Sequence, residues 1–238
     1  MTTSNSNSKM RDYYERTAEQ YDAQNAFDKN DEHYAALAFL QGQITHYSIN
    51  SLLDVGSGTG RAIQYLLKQN SNLRLEGIEP VAALRRVAAN KGIPENNLKD
   101  GDAKKLPYTD NAFECVSAFG VLHHVDKPEH AIREMLRVAQ RAIFISDSNV
   151  YGWGTPLTRT TKQFLHRSGL RKLFCFLSTR GKGYYKTGYD GIFYPFSLLD
   201  YYSLIEEHSV QMTLVNTKTN AINFYRQASH IAIMAWLK

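Results

Sequence analysis

The sequence predicts an α/β protein built on a doubly wound sheet of seven strands, with helices at the N-terminus and an insert after the fifth strand. Three observations carry that prediction. From Ser51 onward, short apolar runs alternate with amphipathic helical stretches, the pattern of a parallel sheet covered on both faces. The first run, Leu52-Leu53-Asp54-Val55, leads directly into glycines at alternate positions, Gly56, Gly58 and Gly60. The last two apolar runs, near 210–217 and 231–237, suit an antiparallel hairpin that completes the sheet.

The elements follow in order. Met1 to Ser8 is rich in Thr, Ser and Asn without an apolar core, so it predicts neither a signal peptide nor a structured element. Residues 9–22 predict a short helix rich in Tyr, Glu and Arg. Asp31 to Tyr47 predicts a second, with Tyr34, Leu37, Ala38, Leu40 and Ile44 near helical spacing. Strands are predicted at 51–55, 73–79, 97–101, 112–119 and 141–147, and helices at 60–70, 81–90 and 128–139. A helix at 197–208 precedes the hairpin. The chain thus divides into a tail with cap helices (1–48), a core (49–150), an insert (151–196) and a closing segment (197–238).

The glycine turn decides the ligand class. Glycine supplies positive φ and removes a Cβ that would collide with a ligand at a helix N-terminus. A dinucleotide fingerprint needs a small residue where Arg61 stands. Asp54 would repel a pyrophosphate and suits a ligand that carries an ammonium group. The D-x-G-x-G-x-G run after a strand resembles motif I of the class I S-adenosylmethionine-dependent methyltransferases. Gly120-Val121-Leu122-His123-His124-Val125, with Pro128-Glu129 and Arg133-Glu134, resembles the loop after strand four in their UbiE-like, or methyltransferase 11, group. The resemblance covers about residues 50–148 and implies a seven-stranded Rossmann-like methyltransferase sheet with S-adenosyl-L-methionine as cofactor. The alternative of a glycine turn without a ligand stays beside it.

In such sheets ligands sit at the carboxyl ends of the strands. Strand two ends at Glu79, 19 residues after Gly60, where an acid can accept both hydrogen bonds of a ribose diol; capping the helix after Pro80 is the other use of that acid. The resemblance implies that Asp102 takes an adenine amine and that the backbone of Ala103 meets the ring. An Asx-type cap is the alternative, compatible role for Asp102. It also implies that the 9–22 segment, with Tyr21, folds over the cofactor; a plain surface helix fits equally. His124, and less so His123, are candidates for a base, and polar packing is the competing use. After strand five, Asp147, Asn149 and Tyr151 border the expected acceptor pocket, or hold the insert in place.

Composition bounds the partners. At 238 residues, 43% hydrophobic and 21% charged, the chain is that of an ordinary globular domain, and no apolar run could span a bilayer. Cys115 and Cys175 lie far apart and predict two free thiols, hence a cytoplasmic setting. No Cys/His spacing suggests a metal. The net charge is +5, yet between Tyr151 and Phe196 eight basic residues face one acid, Asp190. There, Pro156 to Ser178 predicts a basic amphipathic helix, or a pair split at Gly169. Tyr184, Tyr185, Tyr189, Phe193, Tyr194 and Phe196 follow among glycines, and the whole reads as an acceptor lid. A small-molecule hydroxyl, amine or carbon acceptor is favoured, anionic or lipid-linked. A nucleic-acid acceptor is disfavoured because no recognised binding motif accompanies the charge. Such a stretch also suits peripheral contact with an anionic membrane surface, or merely a solvated face. The other readings are a catalytically silent regulatory or scaffolding protein that binds the cofactor, and an RNA-directed methyltransferase.

Overall fold

The computed structural model describes residues 3–24, 31–187, 191–218 and 223–238. Two helices lead, α1 (Thr3–Gln24) and α2 (Glu32–His46). The core then alternates: β1 (Ser51–Val55), α3 (Arg61–Gln69), β2 (Arg74–Ile78), α4 (Ala82–Asn90), β3 (Leu98–Lys99), β4 (Phe113–Phe119), α5 (Pro128–Val138) and β5 (Ala139–Ser148). The insert holds α6 (Pro156–Arg167), α7 (Arg171–Ser178), β6 (Tyr185–Thr187) and β7 (Gly191–Phe193). The chain closes with α8 (Tyr202–Glu206), β8 (Ser209–Asn216) and β9 (His230–Leu237).

Seven strands form one sheet in the order β3-β2-β1-β4-β5-β9-β8, parallel from β3 to β5 and antiparallel where β9 joins β5 and β8. The chain order reverses between β1 and β4, so a crevice opens at the carboxyl ends of these two strands. Alternate strand residues feed opposite faces. Leu53, Val116, Ile143 and Ile145 pack with Ile132 and Met135 of α5. Leu52, Cys115, Ala142 and Phe144 pack with Leu37 and Leu40 of α2 and with Ile63 and Leu66 of α3. Burying both faces is why these strands are mostly apolar, with Asp54, Ser117, Ser146 and Asp147 as buried polar exceptions. Both cysteines are free, and burial pushes the Cys115 thiol up to about 12, which makes it a packing residue.

Three expectations need correction. The helix at the N-terminus begins at Thr3, so most of the segment read as unstructured belongs to it. Ser, Thr and Asn suit a helix start, and the turns beyond are anchored where Tyr14 and Ala18 pack on Val81 and Leu84 of the α4 region. Strand three keeps only two residues, because only Leu98 and Lys99 find register with Gly77 and Ile78. The helix expected at 197–208 is a 3-10 turn, Leu198–Tyr201, followed by one α turn. The basic stretch is a helix pair that breaks at Gly169, which sits at φ +71°. Tyr189 and Asp190 lie outside the described residues.

Candidate functional site

The three glycines of the turn after β1 all have left-handed φ, 72°, 55° and 74° for Gly56, Gly58 and Gly60, but for different reasons. A Cβ on Gly56 would strike Val121, and one on Gly60 would strike Ile93. A Cβ on Gly58 would meet nothing within 4 Å. Gly56 and Gly60 are therefore required by packing, whereas Gly58 keeps a cavity clear.

That cavity lies between the glycine turn, Glu79, the Asp102-Ala103 turn, the loop after β4 and α1, with Tyr14, Tyr21 and His124 in its wall. Glu79 is 5% exposed. Its carboxylate accepts from the backbone N–H of Gly58 (3.0 Å) and of Val81 (2.8 Å), so it does cap the start of α4. Each oxygen keeps a second lone pair for a ligand hydroxyl. Burial pushes this carboxyl up to about 7, against the pull of those two N–H groups and of Arg85. Asp102 makes the Asx-type turn, accepting from Lys104 N at 2.9 Å, with its side chain still half exposed at the cavity edge.

Asp54, the penultimate residue of β1, lies beneath the turn and lines a smaller adjoining cavity with Tyr21, His33 and Arg61. Ser117 Oγ donates to it at 2.9 Å. Burial raises it to about 7, partly offset by its serine hydrogen bonds and assisted by Glu79. Helix α1 is tied down over this region. Thr59 Oγ1 donates to Asp22 at 2.6 Å, Lys91 pairs with the same carboxylate, and Ala83 N donates to Glu15.

A third, larger chamber of about 520 Å³ opens beside these. Tyr21 and Phe119 line all three spaces. The chamber wall carries His123, Glu32, His33, Lys218 and His230, together with Trp153, Phe193 and Tyr194 from the insert. His123 Nδ1 donates to the buried Asp147 at 2.7 Å, because an ionised carboxylate can only accept; Nε2 is then the ring atom able to take a proton. Burial would raise Asp147, but His123 and the backbone N–H groups of Ser148 and Leu122 hold it below the ordinary carboxylate range. Burial acts upward on Glu32 as well, and His230 and Lys218 outweigh it, leaving the carboxyl at about 2. Burial lowers His230 to about 4 and lowers His33 too, so both are neutral imidazoles near pH 7.

His124 sits differently. Its Nδ1 donates to Ile192 O at 2.7 Å, and its Nε2 accepts from the Tyr14 hydroxyl at 3.3 Å. It clasps α1, the loop after β4 and β7 together, while lining the smaller Glu79 cavity. Two of the acceptor-side expectations are corrected. Asn149 is fully buried, donating to Phe224 O and Ala228 O and accepting from Ser197 Oγ and Tyr151 N. The Tyr151 hydroxyl is engaged with His166 (2.6 Å) and Asp200 (2.8 Å). Both lock the insert to the closing segment and neither lines the chamber. Of that trio only Asp147 reaches it, through His123.

The donor set fits a cofactor with a diol, an amine and an ammonium: buried carboxylates at Glu79 and Asp54, a polar turn at Asp102, and a glycine whose missing Cβ leaves open space. A model of the methyltransferase domain family Methyltransf_11 matches residues 53–143. Norajmaline N-methyltransferase of Rauvolfia serpentina is 36% identical over 94 residues, 37% of this chain and 32% of the relative. Ajmaline N-methyltransferase of the same plant is 32% identical over 140 residues, 54% and 48% of the two chains. The ubiquinone/menaquinone biosynthesis C-methyltransferase UbiE of Pseudomonas paraeruginosa is 38% identical over 98 residues, 37% of each. The chain therefore spans about a third to a half of the length of these curated relatives. Magnesium protoporphyrin IX methyltransferase of Synechocystis PCC 6803, solved with bound SAH, superposes at a TM-score of 0.62 with 13% identity, covering 98% of this chain and 100% of that one. A SAM-dependent methyltransferase of Thermotoga maritima superposes at 0.59 with 16% identity, covering 95% and 99%. These likenesses carry the fold, that of the class I S-adenosylmethionine-dependent methyltransferases, and the family match carries the domain: residues 53–143 are a methyltransferase domain of the Methyltransf_11 family.

Proposed function

We propose that this protein methylates a small molecule held in the chamber beside the cofactor cleft, with His123 as the group that takes the acceptor's proton. The single observation behind this reading is the His123–Asp147 pair in the wall of an acceptor-sized cavity that meets the cofactor cleft at Tyr21, Phe119 and Gly120. When bound, S-adenosylmethionine supplies a methyl group already activated on a sulfonium. The protein's share is therefore to orient, to exclude water and to move one proton. Glu79 would hold the ribose diol, Asp102 and the backbone of Ala103 the adenine, and Asp54 the amino-acid ammonium, with Tyr21 closing over them from α1. Asp147 fixes the His123 tautomer and stabilises its protonated form. The neutral His33 and His230 and the ionised Glu32 offer both donors and acceptors to a polar acceptor.

The ajmaline relatives are named as N-methyltransferases and UbiE as a C-methyltransferase, which supports a small-molecule acceptor without choosing the atom. Calorimetric titration with S-adenosylhomocysteine tests the cofactor half of the reading. Transfer of labelled methyl into fractionated extract tests the acceptor half. Label in RNA would favour an RNA-directed enzyme, and cofactor binding without any transfer would favour a silent scaffold.

A further inference from the structure

The mechanism leaves the helix pair α6–α7 unused. Leu157 and Phe164 on α6 are 77% and 67% exposed, and Leu170 at the N-cap of α7 with Leu173, Phe174 and Leu177 on it follow the i, i+3, i+4, i+7 spacing of one helix face, each about half exposed or more. An apolar surface of this size standing in water marks a contact site. Beside it, Arg159, Arg167 and Arg226 line a cavity of about 390 Å³ with Gln163, Gln227 and Phe164. Among the described residues no acid lines that cavity, and none of the three arginines has an ion-pair partner. Arg159 Nε is buried without a hydrogen-bond partner, and its charge pushes the neighbouring Lys162 amine down, after burial. By contrast Arg171 is committed to Asp200, and Lys162 to the carbonyls of Val150 and Trp153.

We propose that this face docks on an anionic phospholipid bilayer, with the apolar stripe entering the acyl boundary and the Arg159–Arg167–Arg226 cavity taking a lipid phosphate. Charge complementarity selects this occupant. A second copy would bring the same uncompensated Arg159, Arg167 and Arg226 against the first, whereas an anionic bilayer offers hydrocarbon and phosphate at one surface. Trp153 and Phe193 belong to the same insert and line the proposed acceptor chamber, so a docked insert would bring that chamber to the lipid surface. The docking stands independently of the acceptor's identity.

The test is co-sedimentation of the whole protein with vesicles of phosphatidylcholine alone and with a third of phosphatidylglycerol, at two salt concentrations. Binding should require the anionic lipid and weaken with salt. The triple variant Arg159→Gln, Arg167→Gln, Arg226→Gln should lose on the order of a hundredfold in affinity, given the contribution of each basic residue near such a surface. Phe164→Ser with Phe174→Ser should abolish binding. Unchanged S-adenosylhomocysteine affinity in both variants certifies their fold. No binding to either vesicle, or equal binding to both, overturns the proposal. So does a concentration-dependent dimer that the phenylalanine variant dissociates, because a second copy would then cover the face.

Discussion

Replacing Asp54 by Asn should stabilise the cofactor-free protein while crippling its cofactor site. The carboxyl is buried and raised from its usual 3.8 to about 7. A folded value above the unfolded one means that the native state holds its proton more tightly. The destabilisation is therefore absent below about pH 4, accumulates as pH rises to about 7, and is constant above. About three pKa units at 1.36 kcal/mol each set a ceiling of about 4 kcal/mol. Asn carries no charge and keeps an oxygen for the Ser117 hydroxyl, which donates at 2.9 Å. In urea unfolding without cofactor, Asp54→Asn should match the parent at pH 4 and exceed it at pH 8 by up to that ceiling. The same variant should bind S-adenosylhomocysteine more weakly by about 1.5–3 kcal/mol, the usual worth of a hydrogen bond to a charged group. A stability difference that stays the same from pH 4 to pH 8 would show that no buried charge is being relieved.

Four further outcomes follow from the geometry. Gly58→Val meets no neighbour within 4 Å but must hold φ near +55°, so it should fold at a cost of about 1–2 kcal/mol, yet fail to shift in a thermal melt with S-adenosylhomocysteine. Glu79→Ala should weaken that ligand by about 1.5–3 kcal/mol in calorimetry; a loss under about 0.5 kcal/mol would leave it only its capping role. His123→Asn should lower turnover by about 10²–10⁴-fold with ligand affinity unchanged, whereas an equal loss in both would make it a packing residue. Tyr151→Phe removes a hydroxyl held by His166 and Asp200 and should cost about 1–3 kcal/mol in urea, with faster proteolysis inside 151–196 and no change in cofactor affinity.

The sheet was legible because its signals are local. Strand periodicity, the glycine turn and the acid at the end of β2 each lie within a few residues of the structure they specify. The candidate site was legible as far as placement along the cavities follows those strand ends, as at Asp54, Glu79 and Asp102. It was not legible where distant segments meet. Lys218 reaches Glu32 across 186 residues, and His230 approaches the same carboxylate, with no pattern in either segment to announce it. His33 could have been suspected from its place at the start of a predicted helix beside Asp31, which caps that helix by accepting from His33 N. Asn149 and Tyr151 show the opposite error. Polar residues after a strand end suggest a pocket, but here burial demanded that their hydrogen bonds be satisfied inside the fold.

Labelled methyl transfer from S-adenosylmethionine into a fractionated extract, run with the parent and with Gly58→Val, tests the central claim most directly. Label should enter the small-molecule fraction with the parent and not with the variant. Label confined to RNA or protein, or no parent-dependent label despite tight S-adenosylhomocysteine binding, would contradict it.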